Sequence, residues 1–227
     1  IINLREGASE LEIMKATEIK KSTIKRRLKA MFKKAPQNIL NDSMEWYSNA
    51  NKFSQEMSLK YGISTTKIAA IISALSPAIG WIENKQNAID MLNVYTNFGE
   101  LENCQYSTYG QNALKAWNIL IDSEATTELE IFNKYFNNDK SGFKTANFFL
   151  NISNPNNKEA VTIDRHQLSI CKNLKKSGGG QTAGKRAYEI LKEVHIETAK
   201  ELNILPQQLQ AVTWSTFRTE VLGYQFH

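Results

Sequence analysis

The chain reads as an all-α protein, on three observations. Apolar residues recur at helical rather than alternating spacing along most of its 227 residues. Prolines and glycines fall between those stretches, at Pro36, Gly62, Pro77, Gly80 and Pro206, where they mark boundaries. Only residues 160–163, Ala-Val-Thr-Ile, have a strand-like composition. A chain of this length buries a sizeable core, as one domain or as two small lobes.

The elements follow in order. Residues 10–32 are dominated by charge, with Ile13, Ile19, Ile24, Leu28 and Met31 as an apolar stripe, and Pro36 closes the segment. Asp42 or Ser43 caps a second helix that runs through Trp46, Tyr47 and Phe53 to Leu59, and Gly62 ends it. Residues 64–75 form a buried helix with Ser64 as its cap. Residues 81–95 and 111–121 are amphipathic helices, and 127–136 is a short one. A turn at 137–142 leads into a helix at 143–152, and SNPNNKE is a loop. Residues 164–174 form a helix opened by Asp164, and SGGG at 177–180 is a flexible connector. Two helices, 183–194 and 196–202, precede a last one that Pro206 starts and that carries Leu209, Val212, Trp214 and Phe217.

Bulk properties narrow the function classes. The longest apolar runs, around 68–74, are far too short to span a bilayer. Cys104 and Cys171 are too few for a disulfide scaffold and read as buried thiols in a reducing compartment. Three histidines and two cysteines give little basis for a zinc site, so no metal is assigned. A chain that begins at Ile1 rather than Met reads as processed, truncated or part of a longer product. Net charge is +5 with a pI near 9, compatible with a nucleic-acid partner. The charge is clustered: Lys20, Lys21, Lys25, Arg26, Arg27, Lys29, Lys33 and Lys34 in one segment; Lys172, Lys175, Lys176, Lys185 and Arg186 in another. Each cluster is a solvated face or a phosphate-contacting one.

The stretch from Gly142 to Cys171 carries the chemistry. Lys144 follows a glycine at a helix start, and Asp164 comes twenty residues later after an apolar run, beside Arg165 and His166. An amine and a carboxylate sharing one site suit chemistry at a sugar carbon: the amine attacks, and the carboxylate accepts its proton or stabilises a cationic sugar. Asp164 is equally well placed to cap its helix. Lys144 is a nucleophile, a phosphate ligand or a surface lysine in a first turn.

Gly142, Lys144, Thr145, Ala146 and Asn147, followed by Ile163, Asp164 and His166, resemble the core of the helix-hairpin-helix DNA glycosylases. Two upstream segments, 68–88 and 109–120, resemble that family's conserved helices in the same order. The likeness covers roughly residues 67–174. It implies a two-lobed helical fold with the active site in the interlobe cleft: residues 1–62 and 175–227 as the terminal lobe, 63–174 as the helical lobe with the hairpin. It implies Asp164 and Lys144 as catalytic residues, with Lys144 as the Schiff-base nucleophile of a lyase-type enzyme. Lys140, Ser141, Gly142, Phe143, Thr145 and Arg165 would contact DNA; Lys140 stands where the family has its first glycine. Many members carry a four-cysteine iron–sulfur loop, which two cysteines cannot supply, so no cofactor is expected.

The base pocket is assigned to residues with polar handles at broken or facing helices. Ser76, Trp81 and Asn84 flank the Pro77–Gly80 break, where the family inserts a wedge; Leu75 or Ile79 is the apolar candidate for that wedge. His166 matches the family histidine. Gln210, Trp214 and Arg218 share one helix face at four-residue spacing. The function expected from the resemblance is excision of a damaged or modified base, an unusual modified pyrimidine in particular, from duplex DNA in which the target base is flipped. The setting would be cytoplasmic or nucleoid-associated, with no membrane contact. A base-hypermodification enzyme on the same fold, and a DNA-binding module without catalysis, are the alternatives.

Overall fold

A computed structural model describes residues 10–137, 142–177 and 183–225. It is all-helical, and no strand occurs among the described residues. The helices are α1 (Glu10–Lys33), α2 (Gln37–Met44), α3 (Trp46–Tyr61), α4 (Thr65–Leu75), α5 (Trp81–Thr96), α6 (Gly110–Ile121), α7 (Glu128–Ile131), α8 (Phe143–Ser153), α9 (Arg165–Lys172), α10 (Lys185–Glu201) and α11 (Pro206–Thr216). A 3-10 turn at Leu101–Asn103 joins α5 to α6, and π-helical turns at Phe132–Phe136 and Phe217–Val221 extend α7 and α11. The chain divides into two compact units, Ile1–Met44 with Ile163–His227, and Glu45–Thr162. These divisions fall at 44 and 163, where the sequence reading places its lobe boundaries at 62 and 175.

Several local expectations give way to the structure. The single helix expected from Asp42 or Ser43 to Leu59 is two, with Glu45 at φ −98° and ψ 4° between them. The buried positions Ile39, Ser43, Tyr47, Ala50 and Ser54 keep helical spacing through the break, so periodicity alone does not reveal it. The two helices expected at 183–194 and 196–202 are one, because the buried stripe Tyr188, Leu191, Val194, His195 and Thr198 continues unbroken. Residues 160–163 form no strand. Side chains satisfy that backbone instead: Val161 N donates to Asn147 Oδ1 at 3.2 Å and Ile163 N to Tyr188 Oη at 3.1 Å. Gly62 ends α3 in the left-handed region, φ +70°, as its position predicts.

In the Glu45–Thr162 unit α4 is the central helix. Every residue from Ile68 to Leu75 is buried, and α3, α5, α6, α7 and α8 pack around it. Ser64 caps it, accepting from Lys67 N at 3.3 Å. Trp46, Tyr47, Trp81 and Phe148 form an aromatic cluster, with Trp46 5.0 Å from Trp81 and 5.8 Å from Phe148. Phe136 stacks on Phe149 at 4.8 Å.

In the other unit α11 is the hub, packed by α1, α2, α9 and α10. A ladder of ion pairs joins α1 to α10: Lys21–Glu193 at 2.9 Å, Lys25–Glu197 at 2.6 Å and Lys29–Glu201 at 2.6 Å. The pairs advance together along both helices, so the two run parallel. Three cations of the first basic cluster are therefore matched by carboxylates within the unit, while Lys20, Arg26, Lys33 and Lys34 are exposed. No helix among the described residues is long and apolar enough to cross a membrane.

Candidate functional site

Asp164 is the best-defined functional candidate. It stands at the N-terminus of α9 with an extended backbone, φ −105° and ψ −174°. One carboxylate oxygen, Oδ1, accepts from His166 N at 2.8 Å and Gln167 N at 3.0 Å. Such a cap contributes roughly 1 kcal/mol to the helix. The other oxygen, Oδ2, accepts from Trp214 Nε1 at 2.8 Å, across from α9 to α11. Three N–H donors thus orient the carboxylate while the residue stays half-buried rather than enclosed. The cap and the expected catalytic group are the same side chain.

Trp214 connects this carboxylate to a cation. The Arg218 guanidinium lies 4.5 Å from the Trp214 ring and 4.9 Å from the Tyr224 ring. Among the described residues Arg218 has no carboxylate partner, and its Nε is buried without an acceptor. An unmet buried donor costs on the order of 1–3 kcal/mol, so this one stands out. The buried His166 ring sits edge-on to Trp214 at 5.8 Å. Asp164, His166, Trp214 and Arg218, all expected from the sequence, form one constellation within one unit. Tyr224 completes it and was missed, since it lies beyond the helix whose face carried the signal.

The layer beneath is a buried hydrogen-bond network. Gln167 Nε2 donates to Thr213 Oγ1 at 2.9 Å and lies 3.3 Å from His195 Nε2. His195 Nδ1 in turn donates to Leu191 O at 2.7 Å, which leaves Nε2 as the acceptor for Gln167. Burial pushes the His195 pKa down to about 4, so the ring is neutral at pH 7. Gln210, expected in the pocket, is buried, and its carbonyl accepts from Gln167 Nε2 at 3.3 Å. The face of three therefore splits: Gln210 packs inside, while Trp214 and Arg218 are partly exposed.

The remaining candidates, Arg165 apart, lie in the Glu45–Thr162 unit. Lys144 is the second residue of α8 and half-buried. Gly142 precedes that helix at φ +128°, a conformation closed to most side chains. No side chain caps α8, and Thr145 Oγ1 turns back to donate to Gly142 O at 3.0 Å. Lys140 and Ser141 lie outside the described residues. Asn147 is structural: it donates to Phe143 O at 2.7 Å and accepts from Val161 N. Arg165, in the other unit, is exposed at the start of α9.

Ser76 and Asn84 both secure the last turn of α4. Ser76 Oγ donates to Ser73 O at 2.9 Å, and the buried Asn84 Nδ2 to Ile72 O at 3.0 Å. Trp81 is half-buried against Trp46, with the Lys85 ammonium 5.7 Å from its ring. Leu75 is fully buried in the core and so is excluded as a wedge; Ile79 is half-buried and Ile82 is 69% exposed.

One lysine not expected from its sequence context also bears on amine chemistry. Lys115 Nζ lies 4.1 Å from the Phe136 ring. Burial lowers its pKa to about 8, so a fraction of the amine is free base near neutrality. The only sequence signal is its place in the 109–120 segment. No group of three His, Cys, Asp or Glu residues among the described ones is placed to hold a metal ion.

Comparison with known proteins places the chain in a family without an assigned activity. The profile of a family of unknown function (DUF7178) matches residues 10–221, and the chain belongs to that family. No curated protein and no solved structure matches it.

Proposed function

We propose that the protein is a DNA glycosylase that removes a modified base by cleaving its N-glycosidic bond. The observation that supports this most is the hydrogen bond from Trp214 Nε1 to Asp164 Oδ2 at 2.8 Å. It holds the carboxylate at the family-matched position, on the same indole whose ring lies 4.5 Å from the Arg218 guanidinium. Asp164 stabilises the positive charge that develops at the sugar C1′ as the base departs. Its negative charge is oriented by three donors before the reaction, so little reorganisation is needed.

Lys144 supplies the amine. Its lone pair forms the N–C1′ bond as the bond from C1′ to the base breaks, and the base leaves with that electron pair and takes up a proton. The nitrogen then loses one proton, the C1′–O4′ bond of the sugar ring breaks with O4′ taking up a proton, and the nitrogen lone pair forms the C=N bond of an iminium that keeps its other N–H. Gly142, Phe143 and Thr145 present backbone N–H groups at the start of α8 to a DNA phosphate. Arg165 and the exposed cations of α1 add charge. Trp81, Ser76 and Asn84 belong to the base-recognising surface in this scheme.

Borohydride trapping tests the scheme. The protein is incubated with duplex DNAs carrying candidate modified bases, and hydride reduces any iminium to a stable amine. An adduct lost in Lys144→Ala establishes a Schiff-base glycosylase. An adduct retained there but lost in Lys115→Ala moves the amine role to Lys115. No adduct, with alkali-labile abasic sites that depend on Asp164, means that water is the nucleophile. Neither signal across a broad base panel would reject the glycosylase and favour a binding module or a base-modifying enzyme.

A further inference from the structure

We propose that Trp214, Arg218 and Tyr224 form a site for the phosphate of a nucleotide, beside Asp164. The inference rests on the nucleic-acid reading above and adds a ligand group to that site. The Arg218 Cζ lies 4.5 Å from the Trp214 ring centroid and 4.9 Å from that of Tyr224, so two aromatic rings flank the guanidinium. Its N–H groups are the means of recognition. Among the described residues those groups meet no carboxylate and donate no hydrogen bond, and Nε is out of contact with solvent.

A structural arginine in this position would have a carboxylate or carbonyl acceptor. This one is flanked by two rings, part-buried, and has none among the described residues. A planar cation with free parallel donors fits a tetrahedral oxyanion through two N–H···O bonds. Phosphate is favoured over a free carboxylate ligand for a local reason. Trp214 and Tyr224 keep exposed surface on which a nucleobase can stack, with Tyr224 47% exposed. Ring surface and anion site together define a nucleotide rather than an isolated anion. Asp164 is one indole away, bonded to the edge of the ring whose face carries Arg218.

The test uses the whole chain with thymidine 5′-monophosphate, thymidine and inorganic phosphate as separate probes. Affinity is read by calorimetry, and the Arg218 Nε–H signal by ¹⁵N-edited NMR. The nucleotide is expected to bind at least tenfold more tightly than either thymidine or phosphate, with a shift of the Arg218 signal. Arg218→Gln should lose that preference, and Arg218→Lys should recover only part of it. Equal affinity for nucleotide and nucleoside, or an unmoved Arg218 signal in the wild-type chain, would overturn the site. The NMR readout decides the matter even if the Gln variant fails to fold. Base release from DNA is measured alongside: release without nucleotide preference removes this site and leaves the glycosylase standing, and preference without release does the reverse.

Discussion

At the scale of single residues, Trp214 has two separable jobs. Its N–H orients Asp164, and its ring supports Arg218. Trp214→Phe keeps most of the ring and removes the donor. Stability should fall by only about 1 kcal/mol, because water can replace a bond at a part-exposed carboxylate. Base release should fall at least tenfold, a loss of oriented charge stabilisation of about 1.4 kcal/mol or more. Unchanged turnover in a folded variant would reduce Trp214 to packing. His195 gives a second prediction, read in stability. Its folded pKa is depressed to about 4, against about 6.5 for an unperturbed histidine. Between those values the unfolded chain binds more protons than the folded one, so stability rises with pH. The contribution is fully present above pH 6.5 and is lost as pH falls toward 4, by up to about 3 kcal/mol. Urea midpoints measured from pH 7 to 4 should show that slope, and His195→Gln should flatten it.

At the scale of elements, the sequence reveals helices better than it reveals their ends. Ser64, Gly62 and Asp164 act as the caps expected of them because their signals are local: a side-chain oxygen or a missing Cβ suffices. The α2–α3 break and the continuity of α10 depend on which unit each buried face joins, and that is not a local property. Phe98 shows a local backbone motif overriding a residue's own preference. The α5 terminus closes with Gly99 N donating to Val94 O at 2.9 Å and Phe98 N to Tyr95 O at 3.1 Å. That motif puts Phe98 in the left-handed region, φ +58°, at a position usually given to glycine, and its ring is 99% exposed. Phe98→Gly relieves the strain and removes exposed apolar surface. It should raise the melting temperature by a few degrees, corresponding to about 1 kcal/mol. A lower melting temperature would mean that the ring makes a stabilising contact.

At the scale of the whole molecule, the sequence placed the candidate groups but not their connections. Asp164, His166, Trp214 and Arg218 were legible, from a motif and from a four-residue repeat. That Trp214 bonds Asp164 was not, because fifty residues and two elements separate them. Tyr224 and Lys115 carried no pattern: one acts through a cation stack, the other through burial beside Phe136. Charge was misleading in part, since Lys21, Lys25 and Lys29 pair with carboxylates of α10 instead of lying open to phosphate. The central claim is that the Asp164 carboxylate supports departure of a base from its sugar. The decisive measurement is free base released from duplex DNA containing modified pyrimidines, compared between wild type and Asp164→Asn. Asparagine keeps the one acceptor oxygen needed to cap α9 but loses the acceptor for the Trp214 N–H, so the variant should still fold, with a stability loss of about 1 kcal/mol. Release by the wild type with a loss of a hundredfold or more in Asp164→Asn is the expected result. Equal release by both proteins would contradict the role given to Asp164.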